Sequence, residues 1–466
     1  MERLRGFDTV YCSLESPTSL FQVGAVVVFD PATAPGGTPL HLALPQVLAD
    51  RIHLMPAFRR RLVRVPFGLD HPRWVEDPDF DLDRHLHRAA IPGPGGPAQL
   101  ADYAADVLGR PLEADQPPWE LHLVEGLEDG LVAALVKIHH AAIDGISGVE
   151  LTAALMDLTP EISTVAPPRQ PWRPEEVPSG ARLAADSVLA LARRGPALAG
   201  AALRTAQALG RIRRHNREPD AVAPPAPFTA PRTSLDRRPG PGRRVAFTRV
   251  ERADVDAVRA ATGTTVNEVI LALSAAAVRA QLLEEGTCPL RPLVALVPVS
   301  TREAGEAGMA GTNRLSAMLV SLATTLDDPL LRLLAIADGS RQARDQDRLL
   351  GSHTIEDLAA ALTPGVLAAT ARLAHRTGLT NRFPPCNLVI SSFPGPVQPL
   401  FCAGAEMVGY HPFGPVVDGA ALNITAMSYR DHLGFGLIAG SDTVPELATL
   451  AGRIPEAMGE LLKVTT

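Results

Sequence analysis

Aromatic residues make up only 4% of this 466-residue chain, so its cores have to be filled by aliphatic side chains; at 46% hydrophobic it has enough for two of them. Cysteine is scarce as well. The four cysteines (Cys12, Cys288, Cys386 and Cys402) lie far apart with no C-x-x-C pair, which excludes a disulfide framework and a cysteine zinc site. No uninterrupted apolar run reaches the roughly 18 residues of a membrane-spanning helix. The opening MERLRGFD lacks the apolar segment of a secretory signal, so a cytoplasmic location is expected. A net charge of -7 offers no basic excess, and no nucleic-acid partner is expected. There is also no G-x-S-x-G elbow, and no cysteine close to the motif described next, so a covalent serine or cysteine route has no anchor.

What the chain does have is HHAAIDG: His139, His140, Asp144 and Gly145 within seven residues. Residues 131–138 (LVAALVKI) follow the turn signal Glu128-Asp129-Gly130 and read as a buried or half-buried strand. Downstream, Ser147 and Glu150 fit a capping box ahead of the apolar positions Leu151, Leu155 and Leu158. The motif therefore sits at a strand-loop-helix junction. Side chains alternate on a strand, so His139 and His140 point to opposite faces, and only one of them serves a given cleft. Divergent neighbours also make a poor chelate, so no metal is expected there. A neutral imidazole, with a reference pKa of about 6.5, suits proton removal near neutrality. The chemistry indicated is acyl transfer, with an alcohol or amine losing its proton as it attacks an acyl carbon.

The composition divides the chain. Residues 159–180 are proline-rich, 181–210 are rich in alanine and leucine with Gly195-Pro196 breaking a helix, and 211–242 are again rich in proline and arginine. This gives a first half over 1–158, a linker and crossover helix over 159–242, and a second half over 243–466. Each half mixes strands with helices. Residues 22–29 and 291–299 are strand-like, and Thr265 opens a helix through a T-x-x-E box ending at Glu268.

Several blocks now bear on the motif: Gln116-Pro117-Pro118-Trp119-Glu120, Thr265 to Ala272 (TVNEVILA), Asn387 to Pro396 (NLVISSFPGP), the N-terminal Leu14-Glu15-Ser16-Pro17-Thr18, Val297 to Ser300, Gly311 to Arg314, and Leu422 to Thr425. With HHAAIDG they resemble, in order along nearly the whole chain, the bacterial wax ester synthase/diacylglycerol acyltransferases. These belong to the HHxxxDG acyl-CoA-dependent acyltransferases of the chloramphenicol acetyltransferase and condensation-domain fold. Pro118, Glu268 and Ser392 stand where that family usually has Leu, Asp and Asn. The resemblance implies an α/β (α+β) fold of two chloramphenicol acetyltransferase-like halves around a central active-site channel. It implies an O-acyltransferase that moves a long-chain acyl group from acyl-CoA to diacylglycerol, giving triacylglycerol, or to a fatty alcohol, giving a wax ester. Acyl-CoA is then a substrate, and no cofactor is expected. The second histidine, His140, would be the base, His139 its support, and Asp144 a loop brace paired with Arg302 or Arg314. Gly145, Trp119, Asn267, Glu15 and Asn387 are the candidate substrate-binding residues.

Each candidate also has a plainer explanation. Trp119 ahead of a strand suits a core, Asn267 a helix start, Asn387 with Pro394 and Gly395 a tight turn, and Glu15 a solvated loop. His85 and His87 read as surface or sheet-edge residues and are left out of the site. Arg193, Arg194, Arg204, Arg211, Arg213, Arg214 and Arg217 flank the crossover, which suits either a solvated face or peripheral contact with the inner membrane or a lipid droplet. Two other functions are consistent with the letters: esterification of a polyketide or glycolipid alcohol from a carrier-protein thioester, and a non-catalytic lipid-binding relative.

Overall fold

The computed structural model of the protein describes residues 2–4, 6–142, 154–168, 172, 174, 176–192, 195–215, 224–300, 315–350 and 362–465. In the first part of the chain these form β1 (Glu2–Arg3), α1 (Gly6–Leu14), β2 (Gln22–Asp30), α2 (Leu40–Arg51), β3 (Arg60–Val63), β4 (Arg73–Glu76), β5 (Leu86–Ala90), α3 (Pro97–Leu108), β6 (Trp119–Glu125) and β7 (Val132–His139). The crossover supplies α4 (Gly180–Ala192) and α5 (Gly195–His215). After it come β8 (Arg243–Glu251), α6 (Arg252–Thr262), α7 (Val266–Glu284), β9 (Val294–Ser300), β10 (Leu315–Ser321), α8 (Pro329–Leu350) and α9 (Pro364–Thr377). The chain ends with β11 (Leu388–Phe393), β12 (Phe401–Cys402), β13 (Ala405–Phe413), β14 (Leu422–Tyr429), β15 (His432–Gly440) and α10 (Leu447–Thr465).

The strands build two six-stranded mixed sheets and a small one of order β1-β4-β3. The N-terminal sheet runs β12-β13-β2-β7-β6-β5 and the C-terminal sheet β10-β9-β11-β14-β15-β8. The expected mixed α/β architecture is present, with one departure from chain order: β12 and β13 complete the N-terminal sheet although they lie far into the C-terminal half. The sheets are thus not partitioned by the composition boundaries at 158 and 243.

Alternation on β7 sorts its side chains between two cores. Ala134 and Ile138 pack with Trp119, Leu121 and Leu123, whereas Ala133 and Leu135 pack with Val26, Leu100 and Val107 on the face covered by α3. Strand β9 begins at Val294, three residues later than the pattern suggested. Pro292 has no N–H to give a ladder. The Thr265 box forms as expected: the Glu268 backbone N–H donates to Thr265 Oγ1 (3.3 Å) and the Thr265 N–H to Glu268 Oε2 (2.8 Å). Helix α7 is long and apolar enough to cross a membrane, but Val269, Ile270, Leu271 and Leu273 are 0–2% exposed in the C-terminal core. Its hydrophobicity is accounted for by packing against the sheet.

The two sheets meet where β13 passes β15, and two glycines permit the approach. A Cβ at Gly434 would lie 2.0 Å from the Tyr410 carbonyl oxygen and one at Gly436 1.9 Å from that of Pro412. The intervening Leu433, Phe435 and Leu437 face the C-terminal core. Gly436→Ala should therefore force backbone displacement at the junction. A loss of at least about 1–3 kcal/mol in urea unfolding is expected; an unchanged midpoint would contradict the close approach.

The first half is latched where it ends. Arg51, at the end of α2, donates from Nη2 to both carboxylate oxygens of Asp157 (3.0 and 2.9 Å) and from Nη1 to the Leu155 carbonyl (3.0 Å). Asp157 in turn exchanges backbone hydrogen bonds with Phe401 of β12 (2.7 and 2.9 Å).

Candidate active site

Both histidines are placed by the strand ladder. The His139 N–H donates to the Pro118 carbonyl (2.9 Å) just before β6, and the His140 N–H to that of Phe21 (2.8 Å) just before β2. The neighbouring strands therefore fix the point at which β7 stops. His139 is buried, and its Nδ1 accepts the Ala141 N–H at 3.1 Å. An accepting Nδ1 puts the proton of the neutral ring on Nε2, which faces Glu15 Oε1 at 3.6 Å. His139 is thus engaged by the protein through both nitrogens. The half-buried His140 lies one residue past the strand, its ring tilted 42° against Tyr11 with centroids 4.4 Å apart.

Glu15 follows α1 and ties the site to β3. Arg64 Nη2 donates to Glu15 Oε2 (2.9 Å), and Arg64 Nη1 to the Cys12 carbonyl (3.3 Å). Burial by itself would raise the Glu15 carboxyl, but the His139 hydrogen bond together with the charge and hydrogen bond of Arg64 outweigh it and hold it below the usual range. Glu15 is therefore an ionised anchor for His139 and not a loosely solvated carboxylate. Tyr11 and Glu15 are four residues apart, so a single helical face meets both histidines.

The other candidates spread outward. Trp119 is 3% exposed, stacks on His85 (centroids 4.4 Å apart, 12° between planes) and donates Nε1–H to the Phe58 carbonyl at 2.9 Å. Core packing replaces the expected substrate contact, because no face of the indole is left accessible. His85, read as a surface or sheet-edge residue, does immediately precede the edge strand β5 but is buried, at 1% exposed. Its Nδ1 lies 2.8 Å from the Trp119 carbonyl, and burial lowers its pKa below the usual imidazole value, so it is a neutral core residue. Asn267 is half-buried, with Oδ1 accepting from Ser392 Oγ at 2.9 Å; this joins the start of α7 to β11.

Asn387 likewise departs from a substrate-binding role. It is fully buried, its Oδ1 accepts the Val294 N–H (2.9 Å), and its Nδ2 donates to Pro231 O (2.6 Å) and Asp236 Oδ1 (2.9 Å). The amide fastens the end of the crossover to the C-terminal sheet. Burial raises the Asp236 carboxyl from 3.8 to about 6, against the opposing hydrogen bonds from Thr233 and Asn387. Because the folded pKa lies above the unfolded one, the stability from this group is fully present below pH 3.8 and is lost as pH rises through about 6. Relative to Asp236→Asn, the wild type should lose on the order of 2 kcal/mol between pH 4.5 and 6.5, read from urea midpoints. A constant difference would contradict this. Asp144, Gly145, Arg302, Arg314 and the Ser147/Glu150 capping box lie outside the described residues.

The wax ester synthase/diacylglycerol acyltransferase catalytic domain matches residues 4–270, more than half of the chain, and the C-terminal domain of the same family matches residues 311–462. The chain belongs to the wax ester synthase/diacylglycerol acyltransferase family. Members of this family are O-acyltransferases, and so is this protein. A protein of Mycobacterium tuberculosis strain CDC 1551, provisionally named a diacylglycerol O-acyltransferase, is 35% identical over 467 residues, 99% of this chain and 90% of its own. The solved wax ester synthase/diacylglycerol acyltransferase of Marinobacter aquaeolei VT8 superposes with a TM-score of 0.69 at 27% identity, covering 99% of both chains. The first condensation domain of the calcium-dependent antibiotic synthetase shares the fold, with a TM-score of 0.57 at 17% identity over 99% of this chain and 96% of its own.

Against the pattern of the wax ester synthase/diacylglycerol acyltransferase family, each unusual residue has a local fit. Pro118 offers only its carbonyl, which is the group His139 uses. Ser392 supplies the hydroxyl that meets Asn267. Glu268 closes the helix cap and is buried against Arg344, whose Nη2 donates to Oε1 at 2.6 Å. Tyr11 and Arg64 were not singled out in the sequence. The four-residue offset of Tyr11 from Glu15 was a signal for the first, whereas Arg64 carried none.

Proposed function

We propose that this enzyme transfers a long-chain acyl group from acyl-CoA to the hydroxyl of diacylglycerol, with His140 as general base and no cofactor. The observation that carries the assignment of the base is the commitment of His139: its Nδ1 is occupied by the Ala141 N–H and its Nε2 is turned to Glu15. His140 is the adjacent imidazole, one residue past the strand end, with its ring against Tyr11. In the reaction it takes the proton of the acceptor hydroxyl as that oxygen bonds to the thioester carbon; the C–S bond then breaks and the imidazolium returns the proton to the leaving thiolate. Asp144 and Gly145 complete the motif, and the family resemblance gives them supporting roles. Diacylglycerol as acceptor rests on the names of the mycobacterial relatives. A fatty alcohol is the alternative acceptor, since the Marinobacter enzyme is named for both activities.

The proposal includes a cytoplasmic enzyme that works at a lipid surface, since both acyl chains are poorly soluble. Supporting this, Val188 and Leu203 on the arginine-rich crossover, and Val366 and Leu373 on α9, are more than half exposed. Purified enzyme incubated with labelled palmitoyl-CoA and either diolein or hexadecanol, followed by separation of the neutral lipids, decides the acceptor. Labelled triacylglycerol is expected. Release of free fatty acid alone, with neither ester, would overturn the reading.

A further inference from the structure

The histidine left aside at the sheet edge, His87, has partners that the acyl-transfer chemistry does not use. Strands β5 and β6 are parallel with His87 opposite His122, and Glu120 lies two residues before His122 on the same face of β6. One donor atom from each of His87, Glu120 and His122 lies within 4.8 Å of the others. We propose that these three side chains bind a single transition-metal dication, best matched by Zn2+, which clamps the edge strand β5 to β6.

Three features of the geometry support this. Glu120 Oε2 and His122 Nε2 are 3.2 Å apart. Bonds of about 2.0–2.1 Å to zinc in tetrahedral geometry place two ligands roughly 3.3 Å apart, so little movement is needed. The Tyr103 hydroxyl on α3 lies 2.8 Å from His122 Nδ1, and so it orients the ring with Nε2 toward Glu120. An outer partner of this kind holds metal-ligating histidines in the correct tautomer. Finally, the imidazoles of His87 and His122 are 4.5 Å apart between centroids and tilted by 32°, an approach that converging on one ion would reward. Two nitrogen donors and one carboxylate suit Zn2+ and disfavour Mg2+ and Ca2+, which take oxygen ligands.

One group opposes the metal. The buried Lys137 Nζ lies 3.3 Å from Glu120 Oε2, opposite it in the β6–β7 ladder, and supplies positive charge to the same carboxylate. Lys137 and the ion therefore compete for Glu120. The clamp would also stabilise the one end of the sheet where β5 exposes an unpaired edge.

The test uses the full chain, stripped with chelator and titrated with ZnCl2 by calorimetry, alongside thermal unfolding with and without the ion. Wild type should bind one more equivalent of Zn2+ than His87→Ala, and Zn2+ should raise the Tm of the wild type but not of that variant. His87 lies on the accessible edge strand, so its replacement leaves the fold intact, and circular dichroism verifies this. Tyr103→Phe should weaken binding about tenfold, and Lys137→Met should tighten it. Equal stoichiometry and equal Tm shifts in wild type and His87→Ala, or an equal response to MgCl2, would overturn the proposal.

Discussion

Replacing His140 with alanine should lower turnover of palmitoyl-CoA with diacylglycerol by about 10^2- to 10^4-fold, the usual contribution of a positioned general base. The His140 ring packs on Tyr11 just past the strand end and is only half-buried, so the Tm of the variant should fall less than that of His139→Ala. His139→Ala should behave differently. Its ring is buried between the Ala141 N–H and Glu15, and its loss would leave that N–H without its acceptor, strip Glu15 of one of its two partners and lower the Tm as well as the rate. A folded His140→Ala enzyme with wild-type turnover would refute the assignment of the base, and a reversed pattern of Tm losses would refute the division of roles.

The largest stability effect is expected at Arg51. Arg51→Met removes the cation from Asp157, leaving a 6%-exposed carboxylate beside the Leu155 and Ser163 carbonyls that Arg51 also serves. Breaking one side of a buried pair costs about 3–5 kcal/mol. The urea midpoint should fall accordingly. Because the penalty comes from the orphaned charge, Arg51→Met combined with Asp157→Leu should recover much of it. A double variant no better than the single one would show that the geometry around Phe401, and not the charge, is what the latch provides.

Much of this structure was legible where the residues act locally. Strand β7 and the cap at Thr265 and Glu268 follow from short-range periodicity and capping chemistry, which need no knowledge of distant contacts. The site's supports were harder to read. Arg64 reaches Glu15 from just past the end of β3, Asn387 is used up by Pro231 and Asp236, and Trp119 is enclosed by Phe58 and His85. Nothing in the neighbouring letters encodes such partners, so residues of matching type were assigned to substrate when the protein itself consumes them. The position of β13 was hidden for the same reason: its own letters do not say which sheet receives it.

That position has a consequence for how the chain is made. Strand β2 leaves the ribosome early, whereas its neighbour β13 follows only after some 375 further residues; at roughly 5–20 residues per second this is a delay of about 20–75 s. Throughout that interval one border of the nascent N-terminal sheet, carrying Val26, Val27 and Phe29, waits without its final partner. Vectorial synthesis thus leaves a sticky apolar ribbon that a holdase has reason to cover until translation is nearly finished.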